Sequence, residues 1–333
     1  MTLAGAHPVA FAVVRFTAFA AHGALFGLVP VTLLALRRGF AVVPAGRYAT
    51  RGRDAVARRL LLTVQWALLL GAVAAVGSLV LQAAVVAGVR ASGVTPSTVV
   101  AALSTPAGQW TALRLFLLGA LALVVPGRLR TWVLRGAGDG QSAPPALWWW
   151  SWGALAAALL ATLSLTGHAV TSGVPALTVP ADLLHLAAAA AWLTGVVVLG
   201  TVLPAGWAGL RAGDQTLLVA GVVVPFSRLA LVAIPVVAVT GVVAALVHVG
   251  SADALRTTAY GQAVLVKGWL FLWVLAFGAC NHFWLRRRLS DERPGHAARA
   301  RRLLTVTVAG ELVFGVLVLG ATAVLVGLPA GRL

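Results

Sequence analysis

The stretch Ser164–Gly195, SLTGHAVTSGVPALTVPADLLHLAAAAAWLTG, contains the end of one apolar run, a loop and the beginning of the next apolar run. It has no lysine or arginine. Two histidines flank the loop, His168 at the end of the first run and His185 inside the second. Asp182 precedes His185 by three residues, so these two side chains share one face of a helix. The stretch therefore predicts a junction between two membrane helices that carries the functional site.

The composition of the chain is that of an integral membrane protein. Of its 333 residues, 60% are hydrophobic and 10% are charged, and the mean hydropathy is +0.97. A soluble domain carries about 25% charged residues, and a helix of about 20 apolar residues crosses a bilayer. We predict an all-α, polytopic membrane protein with a single transmembrane domain over residues 1–333. Its eight transmembrane helices are expected at about 9–36, 60–88, 107–126, 147–167, 181–203, 226–249, 261–285 and 303–327.

Positive charge is distributed unevenly between the predicted linkers. Linkers 37–59 and 286–302 hold seven arginines each, whereas the linker 168–180 holds none. Because arginine-rich linkers remain in the cytoplasm, we expect both the N-terminus and the C-terminus to be extracytoplasmic. The formal net charge of +17 is explained by this clustering and does not predict binding to nucleic acid.

The sequence contains a short internal repeat. The segment TPAGQWTALR (105–114) aligns with TAYGQAVLVK (258–267), and each lies at the predicted outer start of a helix, the third and the seventh. The preceding helices also align, at Arg59-Leu60 and Arg228-Leu229. The alignment predicts two four-helix halves, residues 1–167 and 168–333, in the same orientation about an axis along the membrane normal.

Seven short elements follow one another along the chain: TGH (166–168), ADLLHLAAAAAWLTG (181–195), FSRLAL (226–231), TG (240–241), YGQAVLVK (260–267), NHFWL (281–285) and ELVFGVLVL (311–319). Together they resemble the copper resistance protein D family of bacterial inner-membrane proteins. The resemblance implies an eight-helix protein of the cytoplasmic membrane that moves copper inward from the periplasmic side, beside a periplasmic copper-binding partner. His168 and His185 match histidine positions of that family.

Side-chain chemistry narrows the choice of metal ligands. Imidazole binds copper in either oxidation state, and carboxylate favours Cu(II). Met1 is the only methionine, so the methionine clusters of many copper-handling proteins are absent from this sequence. We predict a copper ion held by four residues, with the aspartate either binding the ion or orienting a ring: His168, Asp182, His185 and His248. The alternative is that these histidines lie at the membrane interface and bond to loop carbonyls.

Two ionisable residues, His22 and Glu311, lie well inside predicted helices, where such groups are costly and face a bundle interior or a pathway. With Trp192 they form our candidate pathway for a cation or a proton. In the alternative, His22 fills a packing gap by hydrogen bonding, and Glu311 is protonated or paired with arginine. Three cations near the outer boundary are expected to reach lipid phosphates: Arg15, Arg114 and Lys267.

These features favour a copper transporter that is not an enzyme. The sequence has no phosphate-binding glycine loop, which argues against ATP-driven pumping by this chain. Its single cysteine, Cys280, excludes an internal disulfide. Two alternatives stay open. One is a haem-b redox protein with histidines of neighbouring helices on the iron, and the other is a non-transporting factor that delivers copper to an oxidase or a soluble partner.

Overall fold

The computed structural model describes residues 8–44, 47–134, 144–207, 210–281 and 296–329. Within these ranges the chain is helical and has no strand. Eight of its helices are long and apolar enough to cross a membrane, which confirms the predicted fold class and number of spans. They are α1 (Pro8–Ala41), α2 (Arg47–Ala87), α3 (Pro106–Leu134), α4 (Ala146–Ser164), α5 (Pro175–Trp207), α6 (Ala212–Val249), α7 (Ala259–Cys280) and α8 (His296–Leu325).

Several helices extend beyond the apolar segments from which they were predicted. α2 begins at Arg47 and not near residue 60, because its arginine-rich and alanine-rich start has high helix propensity although it is too polar for the bilayer. α6 begins at Ala212 and continues through Pro225. α5 begins at Pro175 and not near residue 181, since proline is well suited to the first turn of a helix. Hydropathy therefore located the spans but not the helix ends.

Helices α1 and α5 form the centre of the bundle. α1 contacts α2, α4, α5 and α8, and α5 contacts α1, α4, α6 and α8. The two central helices are in close contact at Gly27, where a Cβ atom would collide with the Ala190 carbonyl and with Thr194. The Thr194 hydroxyl donates a hydrogen bond to the Gly23 carbonyl at 3.3 Å. The glycines of α1 thus set the distance between the central helices.

Each central helix contains one π-helical turn near its far end, at Thr32–Leu36 in α1 and at Val198–Val202 in α5. After these turns, α1 packs against α6 and the end of α5 packs against α2. A π turn shifts the register of the residues that follow it and is frequent at functional sites. The two π turns therefore lie where α1 meets α6 and where α5 meets α2.

The two aligned segments start α3 and α7 with similar threonine hydrogen bonds, which differ by one residue in the carbonyl that accepts. Thr105 Oγ1 donates to the Ala102 carbonyl at 2.6 Å and accepts from the Gly108 amide at 3.1 Å. Thr258 Oγ1 donates to the Ala254 carbonyl at 2.6 Å and accepts from the Gly261 amide at 3.0 Å. Both threonines follow a short helix, Pro96–Leu103 or Ala252–Thr257. Both glycines are required, because a Cβ atom would collide with the Ala102 carbonyl at Gly108 and with the Ala254 carbonyl at Gly261.

The packing around α7 differs from the packing around α3. α3 packs along α2, whereas α7 makes few contacts with α6 and packs mainly against α8. Large apolar side chains of α7 are correspondingly exposed, among them Trp269, Leu272 and Trp273. The second half is therefore more open on the α6–α7 side than the first half is between α2 and α3.

Candidate functional site

His185 lies within α5, ten residues after Pro175 and hence about 15 Å from the start of the helix. Its ring contacts α6, where His185 Nδ1 and Thr240 Oγ1 are 2.9 Å apart. The neighbouring Gly241 also faces the ring, since a Cβ atom there would lie 3.6 Å from His185 Cε1. The imidazole is thus held inside the bundle, deeper than the predicted helix boundary implied.

Thr240 determines the tautomer of His185. The Thr240 hydroxyl donates its only proton to the Val236 carbonyl at 2.5 Å. With its proton directed to Val236, Thr240 Oγ1 accepts from the histidine, and we therefore assign the proton of the neutral ring to His185 Nδ1. His185 Nε2 is then the nitrogen with a lone pair, which is the form of imidazole that binds a metal ion.

Asp182 lies one turn from His185 on the same face of α5, as the three-residue spacing predicted. It is close enough to Lys267 and Tyr260 of α7 to act on both electrostatically. Lys267 also acts on His185. The region between α5 and α7 therefore combines a carboxylate, an imidazole, an ammonium group and a phenol.

His248 is the second-last residue of α6 and is buried. Its ring packs edge-on against Tyr260, with the ring centroids 6.4 Å apart. His168 begins a short helix, His168–Thr171, but its side chain lies outside the part of the structure that is described. Among the side chains that are described, no three histidine, cysteine, aspartate or glutamate residues come together as a metal-binding group.

Glu311 and Trp192 are both buried, on α8 and α5. Asn281, just after α7, donates from Nδ2 to Glu311 Oε1 at 2.5 Å, and Thr307 donates to the Asn281 side-chain oxygen. Trp192 lies two turns along α5 from His185 and packs edge-on against Phe271 at 6.5 Å. In the sequence, Asn281 belongs to the element NHFWL (281–285) of the family resemblance, which did not indicate a role for this residue.

His22 and Arg114 lie in the first half and both differ from expectation. The His22 side chain is 1% exposed, and neither of its ring nitrogens has a hydrogen-bond partner among the described residues, so the expected hydrogen bond was wrong. Arg114 is buried and does not reach lipid. It donates to Thr162 Oγ1 at 2.9 Å, to the Thr162 carbonyl at 2.8 Å and to Thr166 Oγ1 at 2.6 Å, which joins α3 to the end of α4.

Comparison with known families accounts for most of the chain. Residues 6–177 match the copper resistance protein D-like N-terminal domain, and residues 220–325 match copper resistance protein D. The chain belongs to the copper resistance protein D family. The outcome confirms the resemblance seen in the sequence and makes this a copper-related membrane protein. Asp182, His185 and Trp192 lie between the two matched regions of the family, whereas Thr240, Lys267 and Glu311 lie within the second.

A curated relative gives the same association with copper. The chain is 35% identical over 172 residues to the copper transport protein CutJ of Bacillus subtilis (strain 168). The match covers 52% of this chain and 29% of the length of CutJ. No solved structure matches the chain.

Proposed function

We propose that this member of the copper resistance protein D family carries copper inward across the bacterial cytoplasmic membrane, with Asp182 and His185 at its outer binding site. The observation that carries the proposal is the Thr240–His185 hydrogen bond, since it presents an imidazole nitrogen with a free lone pair inside a membrane bundle. Membership of a copper resistance family and likeness to a copper transport protein support copper as the cargo.

The entrance to this site is formed by the segment before α5. Thr178 Oγ1 donates to the Ala169 carbonyl at 2.7 Å and lies 2.6 Å from Ser172 Oγ. These bonds fix the backbone that follows His168 beside the first turn of α5, one turn before Asp182. We propose that His168 receives the ion at the membrane surface and that His248, at the same end of the bundle, assists it.

In this proposal Lys267 provides the opposite charge to Asp182. An ammonium group near Asp182 stabilises the carboxylate, and the same group repels a metal ion at His185. A copper ion that enters therefore competes with Lys267 for Asp182. Lys267 thereby limits the affinity of the site, as release towards the cytoplasm requires.

The inner part of the proposed route leads from Trp192 to Glu311. Asn281 is hydrogen-bonded to both Glu311 and Thr307 where the end of α7 packs against the interior of α8, and Glu311 is the only carboxylate of that network. We propose Glu311 as the inner waypoint for the copper ion. His22 is not included, because the guanidinium of Arg114 acts on it and disfavours a second cation there.

The orientation and the repeat belong to the same proposal. The arginine-rich linkers support cytoplasmic placement of the ends at which α2, α4, α6 and α8 begin, with both termini outside. The matching hydrogen bonds of Thr105 and Thr258 support two parallel halves, residues 1–167 and 168–333. A periplasmic copper-binding protein is the proposed donor of the ion.

Copper binding by two variants tests the outer site. Purified wild-type protein, His185→Ala and Asp182→Asn are loaded with copper, washed and analysed for metal per chain. We expect the wild type to hold copper and both variants to lose most of it, while Asp253→Asn, an exposed acid at the same end of the bundle, keeps it. Wild-type copper content in both site variants contradicts the proposed site.

Two further measurements on the wild-type protein separate the alternatives. Copper influx into proteoliposomes is expected for a transporter, and copper binding without influx indicates a delivery factor. An absorption spectrum of the purified protein tests the third possibility, since a Soret band would identify a haem protein and its absence would remove this alternative.

A further inference from the structure

The copper proposal does not explain why the ring of His22 is buried without a hydrogen bond among the described residues. Its ring is 1% exposed, and both Nδ1 and Nε2 are buried without a partner among the described residues. An imidazole always carries at least one N–H donor, and a buried donor without a partner is costly. Such a group in a folded protein needs an explanation, and a bound water molecule or ion is one that restores the missing hydrogen bond.

The neighbouring helix offers His22 and His185 different residues. A Cβ atom on Gly71 of α2 would lie 3.5 Å from His22 Cδ2 and Nε2, so the ring packs against this glycine. When Arg59-Leu60 is aligned with Arg228-Leu229, Gly71 falls opposite Thr240, the residue that bonds His185. The first half therefore has a glycine where the second half has the hydroxyl that satisfies its histidine.

The charge near His22 is also unbalanced. Arg114 acts on His22 electrostatically, and its three hydrogen bonds go to two hydroxyls and one carbonyl, which are all neutral acceptors. Asp54 and Asp139 are the only acidic residues between residues 1 and 167. Asp54 is 17 residues from Gly71 along α2, about 26 Å, and Asp139 lies outside the described residues. Lys267, by contrast, has Asp182 nearby.

We infer that the first half contains a binding site for a small anion, such as chloride, at the N–H group of His22 beside Arg114. The anion accepts a hydrogen bond from the buried N–H group of His22 and offsets the positive charge of the Arg114 guanidinium. Among the described residues of α1 to α4, neither the N–H group nor the guanidinium has another such partner. A metal ion does not fit this position, because Arg114 repels it and His22 is the only histidine of these four helices among the described residues.

Thermal unfolding in chloride and in gluconate tests the inference. We expect the melting temperature of the wild-type protein to rise with chloride in a saturable way, since a ligand of the folded state stabilises it. Bromide is expected to act like chloride. Arg90→Ala, which removes an exposed arginine elsewhere, should keep the full chloride effect.

Two variants at the site decide the outcome. Gly71→Ser supplies His22 with a hydroxyl, so we expect it to melt about 2 °C higher in gluconate and to lose most of the chloride effect. Leu118 is the neighbour that must yield, because its Cδ2 lies 3.0 Å from the position of the new Cβ atom. His22→Leu should also lose the chloride effect.

Three results would overturn the inference. The first is a wild-type melting temperature that does not depend on chloride. The second is an unchanged chloride effect in both Gly71→Ser and His22→Leu. The third is a loss of one bound copper per chain in His22→Leu, which would make His22 a metal ligand. The inference does not depend on the proposed copper route, because the chloride titration uses copper-free protein.

Discussion

At the residue scale, two histidines in similar packing positions have different partners. His185 is bonded to Thr240, whereas His22 packs against Gly71 and has no hydrogen bond among the residues described. A single hydroxyl on the neighbouring helix therefore determines whether the ring is held in one tautomer. This difference is the basis of our two proposals, a metal ion at His185 and an anion at His22.

The Thr240 hydroxyl can be tested by itself. Thr240→Val preserves the shape of the side chain but removes the acceptor for His185 Nδ1. We expect copper affinity to fall about 10-fold, as is typical when the group that orients a metal-binding histidine is lost. A competition titration with a copper chelator measures the affinity.

Thr322→Val is the matched control, because among the described residues the Thr322 hydroxyl bonds only to the Val318 carbonyl within α8. It should bind copper as the wild type does. Equal copper affinity in Thr240→Val and Thr322→Val would show that Thr240 does not prepare His185 for the ion.

At the scale of elements, the contact between α1 and α5 depends on glycine. Gly27 has no space for a methyl group, because the Ala190 carbonyl belongs to the backbone and cannot move away as a flexible side chain would. The same two helices carry His22 and His185. Any change in their separation therefore moves both proposed sites.

Replacement of Gly27 by alanine should destabilise the bundle. Overpacking of this kind costs about 1–3 kcal/mol, so we expect Gly27→Ala to lower the melting temperature by several degrees and to reduce copper binding. Gly119→Ala in α3 is the control, because no atom outside the helix lies within 4 Å of its new Cβ atom. It should be neutral or stabilising by about 0.5–1 kcal/mol. A Gly27→Ala protein as stable as Gly119→Ala would contradict this account.

At the scale of the whole molecule, charge and openness are both asymmetric. Most arginines belong to the linkers that follow α1, α3, α5 and α7, and the second half is less tightly packed between α6 and α7 than the first half is between α2 and α3. The proposed outer site lies beside this less packed region. Access to His185 from the membrane surface therefore requires less rearrangement than access to His22.

Cysteine labelling in cells tests the orientation. Two single cysteines are introduced into a Cys280→Ala background. Ser97→Cys changes an exposed residue between α2 and α3, and Arg51→Cys changes an exposed residue near the start of α2. We expect a membrane-impermeant maleimide to label Ser97→Cys in intact spheroplasts and to label Arg51→Cys only after lysis. The reverse labelling pattern would show that the protein has the opposite orientation, with Asp182 near the cytoplasmic surface.

Parts of the candidate site could be predicted from sequence because they depend on short-range geometry. The shared helical face of Asp182 and His185 follows from their spacing, and the burial of Glu311 follows from its place in an apolar run. Asn281 as the partner of Glu311 could not be derived, because the two residues are 30 positions apart and meet only where α7 packs on α8.

The sequence by itself determined the eight spans, the helical class and the face shared by Asp182 and His185, since hydropathy, length and helical period are local properties of the chain. Only the tertiary structure decided that Thr240 fixes the ring of His185, that Arg114 turns inward and that His22 is left without a partner. These outcomes depend on how each helix is rotated and shifted against its neighbours. Steric contact between packed side chains sets that arrangement, and the apolar pattern of a single helix does not encode it.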